Sequence, residues 1–461
     1  NSFCTLLEMR VATCAALLLL AAAAATAQGT FPSKAYGYVP INSTYDSAMF
    51  YALRGDSTVP ASVRATRPLV MWLQGGPGAS SMFGDFLESG PIKLEATGAT
   101  TWELVNRTHT WVRHANMLYV DNPVGTGFSY TKDPRGFSTT DDEIAANLVA
   151  FLKGFLSVHT EYQNKPFWVF CESYGGKMVA YYGAALMRAV NAGDVPIDFK
   201  GVALGDGWVD PVSCMYSYGP YLKAFSQVTD DQVANITRYA QYAQDALERG
   251  NGTMSTTWWN AQQGAISYFT NNLNWYNSLY YYDYTATNQF ETFARTTFTT
   301  ELGSLIPSGV AFGSQAGEVF QRMSGSFMRD GIRQVQDMID GGLSVNVYGG
   351  QVDLIVDTLC IQAWMDKLPW LELSQWKAAA RKSFTEPTKQ NVAGFVQQYK
   401  NFAFWQINQA GHMVPLDQPW AAEHMMATIV GGDTTTVPPP TDDTKKQGTI
   451  HVRPAPRFAK P

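Results

Sequence analysis

The chain has 461 residues, 46% apolar and 16% charged, with a formal charge of -6 and a pI near 5.6. That apolar content suffices for a large buried core and excludes disorder over the bulk of the chain. No basic stripe breaks the acidic balance, so the electrostatic footprint of nucleic-acid binding is missing and no nucleic-acid partner is expected.

Along the chain, Arg10, the apolar run Val11–Ala25 and the small residues Ala25-Thr26-Ala27 make up the three parts of a signal peptide, while Asn1–Glu8 precede Met9 and stand outside the expected fold. Cleavage after Ala27 makes Gln28 the first mature residue. The run is Ala-rich and shorter than the ~20 residues of a membrane span, and no later stretch qualifies, so no stable membrane span is expected. Sequons at Asn42, Asn106, Asn235 and Asn251 agree with export and mark expected glycosylation sites. Of five cysteines, Cys4 and Cys14 leave with the leader; Cys171, Cys214 and Cys360 remain, and their spacing does not say which two pair.

Short apolar runs ending in Gly, Pro or Asn follow: Leu69–Leu73, Met117–Val120, Phe167–Phe170, Val202–Leu204, Val345–Tyr348 and Phe402–Ile407. They read as buried strands of a largely parallel sheet. Between the second and third, Thr140-Asp-Asp-Glu143 is a capping box that opens a helix carrying Ile144, Leu148, Phe151, Leu152 and Phe155 on one face. Strand, helix, strand implies an α/β fold whose ligands gather at the carboxyl ends of the strands. From about 215 to 342 the strand rhythm stops, which predicts an inserted, mainly helical cap. Its aromatics, Trp258, Trp259, Trp275 and Tyr280–Tyr282, are expected to pack within the cap rather than line a substrate pocket. The domain is expected over 28–434, with a Pro-rich disordered tail over 435–461.

The strand Phe167–Cys171 leads directly into Glu172-Ser173-Tyr174-Gly175-Gly176. This is the pattern of a nucleophile elbow, in which a serine on a sharp strand-to-helix turn is raised above the sheet between small neighbours. Cys171 stands where the first Gly of the motif is usual. After the strand at 69–73, Gln74-Gly75-Gly76-Pro77-Gly78 brings backbone N–H groups near a substrate oxygen, so Gly76 and Tyr174 are the expected oxyanion-hole donors in an α/β-hydrolase fold. The serine needs a base and the base an orienter. His412, in Gly411-His-Met-Val-Pro415 after the last strand, fits the base; His424 falls in a helical stretch and His451 in the tail. Of the two carboxylates after Val345–Tyr348, Asp353 follows the Gly pair and fits the acid, while Asp357 better caps a helix starting near Thr358.

With those residues in hand, the sequence resembles the serine carboxypeptidase family, peptidase family S10, and within it the retinoid-inducible branch. The matching blocks are Val70–Gly78, Asp121–Tyr130, Glu172–Gly176, Gly201–Trp208, the Asp353 loop and Gly411–Pro415, in the family's order. The resemblance implies a serine-type carboxypeptidase that releases C-terminal amino acids from peptides or proteins through an acyl-enzyme. It also implies that Trp72, Gln74, Gly75, Glu88 and Glu172 bind the substrate's free carboxylate. Paired glutamates hold a proton more tightly than isolated ones, so substrate binding is expected to favour acidic pH. No metal or organic cofactor is called for. Secretion or delivery to a lysosome or vacuole is expected, and a homodimer by family analogy alone. Gln74 stands where Asn is common in the family, so the carboxylate clamp is expected to be built slightly differently; Ala79 replaces a common Cys and Gln351 a common Asp, so the family's disulfides are not assumed. Cys171, beside the nucleophile, is expected to make the site sensitive to thiol reagents. The triad by itself would also suit acyl transfer, and a non-catalytic binding role competes with both.

Overall fold

The computed structural model describes residues 31–387 and 391–438. The signal peptide expected over 1–27 lies outside these residues, as does the tail beyond residue 438; the described part of the tail holds a single 3₁₀ turn, Thr434–Thr436. In chain order the strands are β1 (Lys34–Asn42), β2 (Ser47–Arg54), β3 (Leu69–Leu73), β4 (Ile92–Ala96), β5 (Trp102–Asn106), β6 (Asn116–Val120), β7 (Tyr130–Thr131), β8 (Pro166–Glu172), β9 (Asp198–Gly205), β10 (Ser344–Gly350), β11 (Arg381–Thr385), β12 (Val392–Tyr399) and β13 (Phe402–Ile407). They form one sheet in the order β1-β2-β6-β3-β8-β9-β10-β13-β12-β11, with β7 paired to β2 and β4–β5 a separate hairpin.

The six apolar runs of the sequence are the parallel centre of that sheet, β6, β3, β8, β9, β10 and β13. Antiparallel pairs, β1–β2 on one side and β12–β11 on the other, extend it to both edges. β3 is buried at every position because each face meets a core. Leu69, Met71 and Leu73 point into one core with Leu148 and Phe151 of the helix Asp141–Val158. Val70 and Trp72 point into the other with Met425 and Met426 of the helix Pro419–Val430. The Thr140–Glu143 capping box is formed in both directions.

The chain enters the parallel centre at β3, steps outward to β6, then returns to the far side of β3 as β8. That reversal opens a crevice at the carboxyl ends of β3 and β8, where α/β proteins hold their ligands. Between β9 and β10 every described regular element is helical, among them Pro211–Ala224, Asp230–Glu248, Gly252–Phe269 and Ile332–Asp340. This insertion roofs the crevice.

One covalent bond ties the insertion down: Cys214, on the helix Pro211–Ala224, is bonded to Cys360, on the helix Thr358–Met365 that follows β10. The bridged cysteines are separated by 146 positions. Closing so long a loop removes much of the unfolded chain's freedom. Replacing both cysteines by serine is expected to lower the free energy of unfolding by about 2–5 kcal/mol, measured by chemical denaturation of each protein under non-reducing conditions.

Candidate active site

Ser173 follows the last residue of β8 with φ +63, and the helix Gly175–Asn191 begins two residues later. A left-handed serine is costly, so its surroundings must hold it there. A Cβ on Gly175 would lie 2.7 Å from Leu73 O, and one on Gly176 2.5 Å from Gly207 Cα, so the elbow fits only with glycine at both places. Cys171 is accepted in the motif because its side chain points down, into the core shared with Leu73 and Met178.

His412 comes off the loop after β13 and Asp353 off the turn after β10. His412 Nδ1 and Asp353 Oδ2 are 2.7 Å apart, and both residues are buried. With Nδ1–H donated to the carboxylate, Nε2 carries the lone pair, and it has no hydrogen-bond partner. The other Asp353 oxygen accepts the Ile355 N–H at 2.9 Å. Ser173 and His412 line the same cavity, of about 740 Å³, together with Gly76 and Tyr174. The backbone N–H of His412 donates to Tyr276 O at 2.6 Å. Asp417 Oδ2 holds the same loop by accepting from Gly411 N–H, Asn277 Nδ2 and Tyr284 Oη. Asp357, the other acid after β10, caps the helix Thr358–Met365 by accepting the Cys360 N–H. His424 stacks between Phe384 and Trp420, away from the cavity.

The loop after β3 is shaped from below by Asp121, a fully buried acid. Its carboxylate accepts from Ser80 Oγ, the Ser81 N–H and the Phe128 N–H. Ser81 Oγ in turn accepts the Gln74 N–H at 3.1 Å. The loop therefore stands in a fixed position with Gly76 at φ +105. Gly75 lies against the nucleophile: a Cβ there would be 2.5 Å from Ser173 Cβ and 2.7 Å from Tyr174 N. Neither the role of Asp121 nor that of Asp417 was read from sequence; the Asp121–Tyr130 block carried the first signal, and nothing marked Asp417.

Beside the serine a second group assembles. Trp72 Nε1 donates to Gln74 Oε1 at 2.8 Å, and Gln74 Nε2 donates to Glu172 Oε1 at 2.7 Å. The Glu88 and Glu172 carboxyls are in hydrogen-bonding contact, while both Glu88 oxygens and Glu172 Oε2 take no bond from any conventional donor. Two buried carboxyls in that relation share a proton. Burial pushes Glu88 up to about 7, and burial followed by the Glu88 charge raises Glu172 well above the carboxylate range. Gln74, Gly75 and Glu172 line the cavity; Trp72 and Glu88 stand behind them.

The cap supplies the opposite wall. Trp259 packs against Trp208 and Phe327, and all three line the cavity, as does Trp275. The expectation that the cap aromatics serve packing alone is therefore corrected for Trp259 and Trp275. It holds for Trp258, which packs on Tyr239 and Tyr242. The expected reactivity of Cys171 is corrected too: the thiol is fully buried, burial pushes its pKa far up, and Sγ donates to Ala203 O. Of the sequons, Asn42, Asn106 and Asn251 are exposed. Asn251 caps a helix through Oδ1, accepting the Met254 N–H. Asn235 is half-buried inside the helix Asp230–Glu248 rather than in a loop.

A family model described as Serine carboxypeptidase matches residues 26–432. The retinoid-inducible serine carboxypeptidase of Mus musculus is 36% identical over 420 residues, 86% of this chain and 90% of the relative. The Homo sapiens protein of the same name is 37% identical over 388 residues, 78% and 84% of the respective chains. Among solved structures, Kex1(Δ)p, a prohormone-processing carboxypeptidase from Saccharomyces cerevisiae, superposes with a TM-score of 0.75 at 21% identity, covering 87% of this chain and 92% of its own. At that identity the likeness speaks for the fold, which is that of an α/β-hydrolase. No described helix is long and apolar enough to cross a membrane.

The buried thiol gives a direct test. Native protein treated with iodoacetamide at neutral pH is expected to leave Cys171 unmodified in a peptide mass map, and the same treatment in denaturant to alkylate it fully.

Proposed function

The chain belongs to the serine carboxypeptidase family, and within that assignment we propose that Ser173, Asp353 and His412 are the residues that release C-terminal amino acids from peptides and proteins. The observation that carries the reading is the His412 imidazole: Nδ1 fixed on Asp353, Nε2 unpartnered, and the ring facing the cavity that Ser173 lines. His412 Nε2 takes the Ser173 hydroxyl proton as Oγ attacks the scissile carbonyl. The oxyanion that forms is stabilised by the Gly76 and Tyr174 N–H groups. His412 returns the proton to the departing amino acid, and water, activated by the same nitrogen, hydrolyses the acyl-enzyme.

Selection of a chain end over an internal bond falls to the carboxyl group beside the serine. Glu172, kept protonated by its burial beside Glu88, donates to the substrate's terminal carboxylate, with Gln74 and Gly75 alongside; Trp72 fixes Gln74, and the neighbouring Glu88 carboxyl disfavours ionisation of Glu172. The direction with pH follows from the raised pKa values. Below them the pair carries a proton and attracts the substrate carboxylate. As pH rises through them the pair ionises and repels it. The working range is therefore acidic. Secretory delivery to the outside or to a lysosome or vacuole suits that range and the exposed sequons at Asn42, Asn106 and Asn251, while Asn235 is the site least open to a glycan. The helical insertion acts as the cap of a single catalytic domain spanning 28–434. A second copy of the chain is the assembly the family suggests, and nucleic acid plays no part.

Two measurements test this reading. Ser173→Ala is expected to abolish amino-acid release from N-blocked dipeptides, and Asp353→Asn to lower kcat by about 10⁴ while leaving the fold intact; release that persists in Ser173→Ala sinks the assignment. For the wild type, KM is expected to rise about tenfold or more between about pH 5 and about pH 8. In Glu172→Gln, which keeps a donor without a titrating proton, the rise is expected to flatten; an equally steep rise would remove the pair from substrate binding.

A further inference from the structure

β9 runs between the strand that carries the nucleophile and the strand that carries the acid, and directly after it sits Asp206, a fully buried carboxyl with no part in the reaction as described above. The residue is held in the left-handed region, φ +40, by its own backbone: its N–H donates to Tyr348 O at 2.8 Å. Asp206 Oδ1 accepts the Gly350 N–H at 2.8 Å. The Gly349–Gly350 end of β10 lies against it, with the Cα side of Gly349 facing the same oxygen at ordinary contact distance. Asp206 Oδ2 is buried and takes no bond from any conventional donor. One oxygen of Asp206, one of Asp353 and a ring nitrogen of His412 all lie within 4.8 Å of one another.

Two carboxyls in contact inside a protein do not both ionise. Asp353 uses Oδ2 for His412 and Oδ1 for the Ile355 N–H, and both bonds favour its charged form. Asp206 has one backbone N–H. The proton therefore belongs to Asp206, on the oxygen that lacks a donor. We propose that Asp206 is a positioning residue of the catalytic machinery, a neutral acid whose Oδ2–H is donated to the Asp353 carboxylate, so that the acid and base of the triad are the end of an Asp–Asp–His chain.

The surroundings agree. The titratable groups facing Asp206 are Asp353, Glu172, Asp417, Tyr348 and His412; burial raises it well above the carboxylate range, and the Asp353 charge raises it further. The donated proton draws charge out of Asp353 and weakens its hold on an imidazolium. This inference rests on the triad reading above and deepens it, because it names the group that sets how strongly Asp353 holds a protonated ring.

The experiment measures the rate at which a fluorophosphonate labels Ser173 as a function of pH. That rate depends on the serine and its base and involves no substrate carboxylate, so the Glu88–Glu172 pair does not enter. In Asp206→Leu the acid limb of the labelling profile is expected to move up by about one pH unit, a roughly tenfold loss in the acid range that is recovered at higher pH. Asp206→Asn keeps an N–H donor toward Asp353 and is expected to restore the wild-type position of the limb. A limb that stays in place in Asp206→Leu, or that moves equally in both variants, overturns the proposal. If Asp206→Leu does not fold, the infrared band of protonated carboxyl groups at neutral pH decides: it is expected to lose intensity in Asp206→Asn relative to wild type, and an unchanged band overturns the proposal. Failure of Ser173 to label in the wild type would defeat the triad reading instead, and the infrared comparison still reports on Asp206.

Discussion

The backbone of Ser173 is gripped on both sides by the turn after β9. Its N–H donates to Gly205 O at 3.0 Å, and its carbonyl accepts the Trp208 N–H at 2.8 Å. These two bonds continue the β8–β9 pairing one step beyond the sheet and hold the serine in a conformation it would not adopt alone. The rest of the site is built against that fixed point. Gly75 touches the serine from the β3 side, Asp206 stands in the gripping turn, and Gly350 lets the loop carrying His412 approach β10. A Cβ on Gly350 would lie 2.0 Å from Gly411 O, so the approach of the base to the acid strand is set by the absence of a side chain.

Adjacent parallel strands thus present their carboxyl ends in order: the Gln74–Gly78 loop from β3, Ser173 from β8, Asp206 from β9, Asp353 from β10 and, one strand further, His412 from β13. Strand spacing does much of the positioning. Electrostatics adds to this, because the site holds two neighbouring pairs of buried carboxyls, and burial raises the pKa of Glu88, Glu172 and Asp206. On the proposed roles, Glu88–Glu172 meets the substrate's charge and Asp206–Asp353 meets the base, so acidity would act on binding and on chemistry through separate protons.

The centre of the fold was legible because strands buried on both faces are written as continuous apolar runs, as in Leu69–Leu73 and Phe402–Ile407, both found with those limits. The edges were not. β11 and β12 are only partly buried and carry no such run, and β1 mixes Lys34, Gly37 and Pro40 among its aromatics. Ser173, Asp353 and His412 each stood out through a local signal: a motif, a glycine pair, a lone histidine after a strand. Asp206 and Asp417 have partners distant in sequence; the Gly201–Trp208 block flagged Asp206 without showing what it contacts, and nothing flagged Asp417. The Cys214–Cys360 pairing is equally non-local. Cys171 misled in the opposite way, since closeness to the nucleophile along the chain says nothing of direction; successive residues of a strand face opposite sides of the sheet.

The Cys214–Cys360 bond makes the connectivity of the molecule independent of the peptide chain between them. A cut anywhere in that stretch leaves two polypeptides that separate only on reduction. If it falls before Asp353, Ser173 belongs to one piece and both Asp353 and His412 to the other. The two pieces would remain registered by the β9–β10 pairing and tethered through sulfur, so Ser173, Asp353 and His412 would not need an unbroken backbone to stay together.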